Sequence, residues 1–351
     1  MSHAFLGTAW LIGLALIGRG AWLRSVRSPP GVRVSVIVPA RDEAKRLPRL
    51  LSCLADTNVH ELIVVDDDSR DATASVAVGF GAKVLSVGEP PPGWTPGKAW
   101  ACATGAAVAT GQVLVFFDAD VEPTSAGIDA LVAAASESNG LVSAQPSHRI
   151  EQWYERASAG PALVTLLGAG TGTTPARRWW RDAVAFGPAI AVDRRVYHSF
   201  GGHAAARVAV DDDLALARAA RSAGVPVVAL LGGALLRYRM YPGGIAQLVE
   251  GWTKNLASGA IAIPPARLIA CIVWVTAALS APFAGVVVYL AFAAQVHVVL
   301  RRAGRFGVVM PFLYPVALIV FVALFGLSTI ATTARRRVRW RGRDVPVGRR
   351  S

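Results

Sequence analysis

The stretch VLVFFDADVE, Val113 to Glu122, decides the fold class of this chain. The apolar residues Val113 to Phe117 have the composition of a buried strand, and they run directly into Asp118-Ala119-Asp120. In an open α/β sheet, ligands bind where the carboxyl ends of the strands meet solvent. Two carboxylates one residue apart can share a hard divalent cation with substrate phosphates. A solvated acidic turn is the alternative for this pair taken alone.

Short apolar strands alternate with helical segments on both sides of this stretch, which predicts a parallel, doubly wound α/β sheet. The other predicted strands are Val32 to Val38, Glu61 to Val65, Val84 to Val87, Leu141 to Gln145 and Ala183 to Val192. Neither G-x-G-x-x-G nor a Walker A sequence occurs in the first half of the chain. NAD-binding and P-loop interpretations therefore lose their main support.

Composition places part of the chain in a membrane. The 351 residues are 53% hydrophobic and 17% charged, which is too apolar for an ordinary soluble enzyme. The net charge of +13 is concentrated at Arg19 to Arg27, at Arg301 to Arg305 and in the tail from Arg335 onward. These positions flank apolar segments, as expected of anchors that face anionic lipid headgroups, and they argue against a nucleic-acid partner. Three widely separated cysteines give neither a disulfide framework nor a metal-binding spacing.

The same features predict four segments. These are a membrane anchor at residues 1–30, a globular domain at 31–262, a transmembrane region at 263–334 and a basic, cytoplasmic tail at 335–351. Arginines follow the first apolar run, so we expect a multi-pass protein of the cell membrane with its globular domain in the cytoplasm. We expect one crossing within Leu268 to Leu300 and another at about 308–331. The segment Arg177 to Arg181, which contains two tryptophans, suits either a membrane interface or a basic turn.

Acidic residues also follow a second predicted strand and precede a predicted helix. Asp66 to Asp68 end the strand Glu61 to Val65, where carboxylates can accept hydrogen bonds from a nucleotide base or ribose. Capping of the next helix is the alternative. Asp211 to Asp213 precede a helix from Leu214. Asp213 is the candidate general base, since a carboxylate can take a proton from an acceptor hydroxyl, while a cap of three acids is the alternative.

Basic residues supply the candidate partners for phosphate. A proline-rich loop, Pro90 to Gly97, delivers Lys98 to the start of a predicted helix. A lysine there does not help the helix dipole, so contact with a phosphate or a neighbouring acid suits it, with a solvated lysine as the alternative. Further along, Arg239 and Lys254 could neutralise a leaving diphosphate or serve as juxtamembrane anchors.

Taken together, these segments resemble the GT-A fold glycosyltransferases of family 2. The resemblance covers about Val34 to Asn255 and consists of VSVIVPARDE, IVVDDDSRDAT, GWTPGKAWA, FFDAD, GGH followed by VDDDLALA, and GWTKN, in this order. Within the family, the chain is most similar to membrane-anchored enzymes that glycosylate carotenoid acids or act in hopanoid biosynthesis. A late G-W-x-K-N segment replaces the Q-x-x-R-W of processive polysaccharide synthases, which argues against polymerisation.

The resemblance implies a Rossmann-like, mostly parallel sheet with flanking helices, plus transmembrane helices at both ends. It also implies a nucleotide-sugar site. Asp67, with Asp66 or Asp68, would recognise the base, and Lys98 would lie near ribose or phosphate. The remaining pocket residues for base and ribose would be Pro39, Ala40 and Glu43.

Metal and acceptor residues are implied in the same way. Asp118 and Asp120 would bind the diphosphate together with Mg²⁺ or Mn²⁺. Asp213 matches the family's base, and Asp212 stands where the family usually carries Glu. The residues expected around acceptor and diphosphate are Gly187, Pro188, His203, Arg239, Trp252 and Lys254.

The activity implied is inverting transfer of one sugar from a nucleotide sugar, usually a UDP-sugar, to a membrane lipid such as a carotenoid or another isoprenoid. Polyprenyl phosphate is a second acceptor class. A catalytically silent membrane scaffold or sugar-nucleotide sensor would keep the same fold, since a fold alone does not fix activity. A nucleotidyltransferase is disfavoured, because the Gly-rich basic loop that such enzymes use for a triphosphate is missing after the first strand.

Overall fold

The computed structural model describes residues 2–170, 185–208 and 211–333, and the backbone of 337–340 and 343–346. The tryptophan-containing segment at 177–181 lies outside these residues. Packing divides the chain into two compact units. The first comprises Met1–Ala21, Ser147–Val184 and Arg239–Ser351, and the second comprises Trp22–Pro146 and Ala185–Tyr238. The domain boundaries inferred from the sequence stay a prediction.

Strands and helices alternate through the second unit, and helices dominate the first. The strands are β1 (Val34–Ala40), β2 (Glu61–Asp66), β3 (Lys83–Ser86), β4 (Val113–Phe117), β5 (Val121–Pro123), β6 (Leu141–His148), β7 (Ala189–Asp193), β8 (Val227–Tyr238), β9 (Arg337–Trp340) and β10 (Arg343–Pro346). The helices are α1 (His3–Ile17), α2 (Leu47–Ala55), α3 (Thr73–Gly79), α4 (Lys98–Val108), α5 (Ser125–Ser138), α6 (Ala159–Ala169), α7 (Arg194–Ser199), α8 (Asp212–Ser222), α9 (Ile245–Ile261), α10 (Pro265–Ser280), α11 (Val286–Ala303) and α12 (Tyr314–Thr333).

The second unit is built on an eight-stranded sheet with the order β3-β2-β1-β4-β7-β6-β8-β5. Strands β3, β2, β1 and β4 pair in parallel. The pairs β4–β7, β6–β7 and β5–β8 are antiparallel. The sheet is therefore mixed, and the expectation of a mostly parallel sheet is confirmed only for its first half. Apolar periodicity shows that a strand is buried but not in which direction it runs, so β7 gave no sign of its antiparallel return beside β4.

Close packing of α4 on the sheet fixes the position of Lys98. The strands under it are buried over most of their length, and α4 meets them with small residues. A β-carbon at Gly105 would lie 2.6 Å from a methyl group of Ile37 on β1 and 2.9 Å from one of Val65 on β2. Only glycine fits this approach without repacking. Because Lys98 is the first residue of α4, its backbone is held next to these two strands.

Buried polar side chains join the apolar helices of the first unit. Gln295 on α11 accepts a hydrogen bond from the indole of Trp274 on α10 at 2.8 Å and donates to the Trp10 carbonyl on α1 at 2.7 Å. The indole of Trp10 donates in turn to the Ala291 carbonyl at 3.0 Å. Interhelical hydrogen bonds of this kind stabilise apolar helix bundles by about 0.6–2 kcal/mol each.

Two arginines donate hydrogen bonds to backbone carbonyls at the carboxyl end of α1. Arg302 donates to the Gly18 carbonyl at 3.0 Å, and buried Arg267 donates to the Leu16 carbonyl at 3.1 Å. Arg267 also donates to the Leu167 carbonyl near the end of α6 at 2.7 Å. Cations at helix carboxyl ends are favourable because they meet the negative end of the dipole. The carboxyl ends of α1, α6 and α11 therefore gather around basic side chains.

In the part of the chain that the structure describes, three helical segments are long and apolar enough to cross a membrane, by length and composition: Pro265–Ala284, Val286–Ala303 and Tyr314–Thr332. Candidate spans thus occur at the C-terminal end, as expected. At the N-terminal end, α1 is an apolar helix of 15 residues, shorter than the about 20 that a span usually needs, so the transmembrane helix expected at this end stays a prediction. Gly285, at φ 108°, divides the block Leu268 to Leu300 into α10 and α11, so two candidate spans stand where one was predicted.

Candidate active site

The carboxyl ends of β1, β2 and β4 lie at one edge of the sheet, since these strands are parallel neighbours. Ala40 pairs with Asp66 in the register, and Ile37 pairs with Phe116. The residues that follow each strand therefore emerge side by side. This is the edge at which open α/β sheets bind ligands.

The loops after β1 and β2 are bonded to one another. The Asp67 amide donates to the Ala40 carbonyl at 2.8 Å. Arg41 donates to the Asp67 carbonyl at 2.5 Å and lies 3.5 Å from the Asp68 carboxylate. Asp66 and Asp67 are both only 8% exposed. Within the described residues, the buried Asp66 Oδ1 has no hydrogen-bond partner, which leaves it able to accept one from a ligand.

Glu43 and Pro39, also predicted for this pocket, are fixed by the same pair of loops. The Glu43 amide donates to the Thr73 hydroxyl at 2.8 Å, and its buried carboxylate pairs with Arg46 at 2.5 Å. Pro39 lies on β1 opposite Val65. Asp71, which precedes the N-cap residue of α3, accepts a hydrogen bond from the Thr73 amide at 3.0 Å.

A second group of predicted residues lies around the side chain of Lys98. Its ammonium lies 2.7 Å from Asp118 Oδ1 and donates to the Gly187 carbonyl at 3.2 Å. The Asp118 amide donates to the Pro188 carbonyl at 3.0 Å. A β-carbon on Gly187 would lie 2.8 Å from Asp213 Oδ2 and 2.9 Å from Lys98 Nζ. The turn after β4, the start of α4, the start of α8 and the residues before β7 therefore converge at one point.

The electrostatics of this cluster follow from burial and from its excess of carboxylates. Burial opposes the charge on Lys98, but Asp118, Asp212 and Asp213 raise its pKa well above the usual value, so it stays cationic. Burial raises the pKa of Asp213 to about 7, Asp212 adds to this effect, and Lys98 counteracts it. A carboxylate that titrates near neutrality is well matched to proton transfer. Among the described residues, Asp212 Oδ2 is a buried oxygen with no hydrogen-bond partner.

Asp118 and Asp120 fit a divalent cation that the substrate helps to hold. The described part of the chain contains no group of three or more His, Cys, Asp or Glu side chains that could hold a metal ion without the substrate. Mg²⁺ and Mn²⁺ are commonly bound by one or two carboxylates, with substrate phosphates and water completing the shell. The two carboxylates after β4 supply this kind of partial donor set.

His203 is buried in the core beside the cluster. It is 1% exposed, and its ring centroid lies 4.8 Å from that of Phe116. Its Nδ1 lies 2.9 Å from the Tyr197 hydroxyl, which also accepts the His203 amide at 3.0 Å. The hydroxyl and Nδ1 therefore share a hydrogen bond whose donor depends on the tautomer of the neutral ring. Burial lowers the pKa of His203 to about 4, although Asp212 opposes the shift.

The remaining predicted residues belong to the first unit. Arg239 forms ion pairs with Glu151 at 2.6 Å and with buried Glu155 at 2.8 Å. The Trp252 indole is buried on α9 and donates to the Ser158 hydroxyl at 3.0 Å. Lys254 is half-buried on the same helix. Their roles at diphosphate and acceptor stay predictions.

Sequence reasoning missed two of these partnerships. Arg41, which contacts the Asp67 and Asp68 loop, lies inside the quoted segment VSVIVPARDE, so a signal was present. Glu151 and Glu155 lie more than 80 residues before Arg239, and no local pattern connects them. A cation that follows a strand can be recognised from the sequence, but its partner across the fold cannot.

Comparison with known proteins assigns the family. The family model described as glycosyl transferase family 2 matches residues 35–201. The 4,4'-diaponeurosporenoate glycosyltransferase of Staphylococcus haemolyticus is 31% identical over 98% of this chain and 98% of its own length. The chain belongs to glycosyl transferase family 2. It is a glycosyltransferase, as the motifs predicted.

Two further similarities are consistent with the assignment of this enzyme to family 2. The 4,4'-diaponeurosporenoate glycosyltransferase of Staphylococcus aureus is 30% identical over 90% of this chain and 89% of its own length. A mannosyltransferase from Pyrobaculum calidifontis, solved in complex with GDP-Man and Mn²⁺, covers 93% of this chain with a TM-score of 0.53 and 18% identity. At this identity, the structural similarity shows that the family 2 enzyme shares a GT-A-like fold.

Proposed function

We propose that this family 2 enzyme transfers one sugar from a nucleotide sugar, with UDP as the carrier, to a carotenoid acid in the membrane, with inversion at the anomeric carbon. The acceptor is inferred from relatives of nearly the same length that are named for 4,4'-diaponeurosporenoate. The three apolar helices near the C-terminus agree with an acceptor that resides in a membrane. We place the catalytic unit on the cytoplasmic side, where nucleotide sugars are available.

The observation that carries the chemistry is the convergence of Lys98, Asp118, Gly187 and Asp213. One half-buried cation faces several half-buried carboxylates where strand ends meet. A scaffold that only retained the fold would have no need for a partly desolvated charge cluster, since desolvating charges is costly. Perturbed ionisable groups gathered at a sheet edge favour catalysis.

In the proposed mechanism, Asp66 and Asp67 bind the nucleoside, and Lys98 holds the diphosphate. Asp118 and Asp120 would hold Mg²⁺ or Mn²⁺, which supplies Lewis-acid stabilisation of the leaving diphosphate. The Lys98 ammonium adds a fixed positive charge next to the same group. Donors that are already oriented toward developing charge contribute most where water is excluded. These residues thus stabilise the nucleotide diphosphate as it leaves.

Asp213 serves the acceptor, and its pKa of about 7 allows two roles. A hydroxyl acceptor needs the ionised form, which takes the proton as the new bond forms. A carotenoid acid arrives as a carboxylate and needs no base. The protonated form of Asp213 can then donate a hydrogen bond to it, whereas the ionised form repels it. The direction of the pH dependence therefore reports the acceptor class.

The test measures UDP release from UDP-sugars by purified enzyme in lipid nanodiscs with a carotenoid acid, in the presence and absence of EDTA. We expect Asp118→Asn and Asp120→Asn each to lower transfer by at least about 10²-fold, because the metal site loses an anionic oxygen. Asp56→Asn, at an exposed acid after α2, is the matched control and should retain activity. Near wild-type turnover by either site variant with Mn²⁺ would show that the metal assignment is wrong.

A further inference from the structure

Side-chain oxygens continue the pairing of β1 and β2 beyond the point where the two strands end. Backbone amides past the last paired residues still need acceptors. The Asp42 amide donates to the Ser69 hydroxyl at 3.0 Å, and the Arg70 amide donates to Asp42 Oδ1 at 2.7 Å. Each loop therefore supplies one amide and one side-chain oxygen to the other. We call this reciprocal pair of hydrogen bonds between Asp42 and Ser69-Arg70 the loop clasp.

The backbone at Asp42 has a conformation that few residues adopt. Its φ is 51°, and among the described residues other than glycine only Asp68 and Asn139 also have a positive φ, at 58° and 46°. Aspartate and asparagine enter this left-handed region more readily than other side chains, and the conformation persists where the surrounding contacts hold it. Two of these three residues lie in the loops after β1 and β2. Such positions gather at ligand-binding sites.

The loops that the clasp joins carry the buried carboxylates predicted to bind the nucleoside. Asp66, Asp67 and Glu43 are all buried, and all lie in the second unit. In the described part of the chain, Asp66 Oδ1 accepts no hydrogen bond. A buried oxygen without a partner costs free energy that a ligand donor can recover. Asp42 is exposed, so its side chain joins the loops without belonging to the core.

We propose that Asp42 is a positioning residue for nucleotide-sugar binding, which holds the loops after β1 and β2 in one arrangement before the donor arrives. The inference rests on the proposed function, and in particular on Asp66 and Asp67 as the residues that bind the nucleoside. Loops that are ordered in advance lose less conformational freedom on binding, which strengthens affinity. The clasp should therefore act on donor affinity and leave the chemical step nearly unchanged.

The test measures the Kd for UDP with Mn²⁺ by titration calorimetry, using the full-length enzyme in nanodiscs, together with kcat and the KM for the donor. Asp42→Gly removes the carboxylate, and glycine adopts the same backbone conformation without strain. We expect this change to raise the Kd for UDP and the KM about tenfold, with kcat within about twofold of wild type. Asp42→Asn keeps the acceptor oxygen and should bind UDP within about threefold of wild type.

Two further variants separate the clasp from general stability. Asn139→Gly is the matched control, because Asn139 has the same left-handed backbone at the carboxyl end of α5, and it should leave UDP binding unchanged. Ser69→Ala removes the other side-chain oxygen of the clasp and should weaken UDP binding by a similar factor. Combining it with Asp42→Gly should add little, since the clasp is already open. Thermal unfolding checks that each variant is folded.

The outcomes distinguish the inference from the proposed function. Normal UDP binding by Asp42→Gly would overturn the inference, and so would equally large losses in Asp42→Gly and Asp42→Asn. A lower kcat at unchanged UDP affinity would also overturn it. Asp67→Asn addresses the nucleoside site directly and should raise the Kd for UDP. Normal UDP binding by Asp67→Asn would instead overturn the nucleoside site of the proposed function.

Discussion

In the proposed mechanism, Asp213 acts on the acceptor, whereas other residues bind the donor. With a hydroxyl acceptor, Asp213→Asn should lower kcat by about 10²–10⁴-fold with little change in the KM for the donor, because the proton moves only as the bond forms. With a carotenoid acid, the loss should stay below about tenfold, since asparagine can donate the same hydrogen bond as the protonated acid. Steady-state rates with both acceptor classes decide between them.

The pH profile gives an independent measurement of the same residue. With a hydroxyl acceptor, kcat/KM should rise with pH through about 7 as Asp213 ionises, whereas with a carboxylate acceptor it should fall over the same interval. Asp212→Asn removes a negative neighbour, so the midpoint should move to lower pH in both cases. A profile that is flat from pH 6 to 8 with both acceptors would remove Asp213 from the mechanism.

His203 should make stability depend on pH. Its folded pKa of about 4 lies below the unfolded value of about 6.5, so the unfolded chain binds more protons between these values. Above pH 6.5, protonation of His203 does not lower the free energy of unfolding. As the pH falls toward 4, protonation of this residue in the unfolded chain lowers that free energy, by about 2 kcal/mol at pH 5. Thermal unfolding in detergent should show a smaller loss of Tm on acidification for His203→Gln than for wild type. Equal losses would contradict the assignment.

Single positions differ in how far the sequence could predict them. Lys98 was expected to meet a phosphate or a neighbouring acid, and the structure shows the acid, Asp118. The acidic runs at 66–68 and 211–213 could be recognised as candidate site residues from composition, because each is three consecutive aspartates. Gly187 lies beside Lys98 because β7, which follows it, pairs antiparallel with β4, and this pairing is tertiary information. The neutral, core-buried state of His203 likewise depends on Tyr197 and Phe116, which no spacing rule connects to a GGH segment.

At the scale of elements, the approach of α4 to the sheet is the contact that places Lys98. We expect Gly105→Ala to destabilise the protein by about 1–3 kcal/mol, because the new methyl group meets Ile37 and Val65. Gly79→Ala on α3 is the matched control. It has open space around it and should be neutral or stabilising by up to about 1 kcal/mol. Denaturant unfolding compares the two variants, and equal stability would show that α4 can shift at no cost.

The elements show why strand direction could be predicted for only half of the sheet. Strands β1, β2, β3 and β4 are separated by helices, and this alternation indicates parallel pairing. β8, which was missed, contains Gly232 and Gly233 in mid-strand, and Gly233 has a φ of 57°. Glycines weaken the apolar and β-branched pattern by which a strand is recognised. β5 has three residues, too few for any periodicity.

For the whole molecule, the prediction concerns sidedness in the membrane. Arginines at 19–27 and 301–305 favour the cytoplasm for the catalytic unit and for the end of α11. With three crossings, this orientation replaces the cytoplasmic side predicted for the tail from Arg335 onward. A cysteine at exposed Pro92, near Trp94, should react with an impermeant maleimide only after permeabilisation. Phe283→Cys, at a 92% exposed position between α10 and α11, should react in intact cells. Wild type, which contains Cys53, Cys102 and Cys271, gives the background labelling. The reverse labelling pattern would overturn the orientation.

The contact between α1 and α11 has a consequence for how the chain is made. Trp10 meets Ala291 and Gln295, which follow it by 281 and 285 residues. At about 5–20 residues per second, ribosomes need roughly 15 to 60 seconds to reach these partners. For that interval, the apolar helix α1 of the nascent chain must persist without these partners. Substitutions at Gln295 should therefore appear first as a shortage of protein inserted per message, even where the molecules that mature turn over normally.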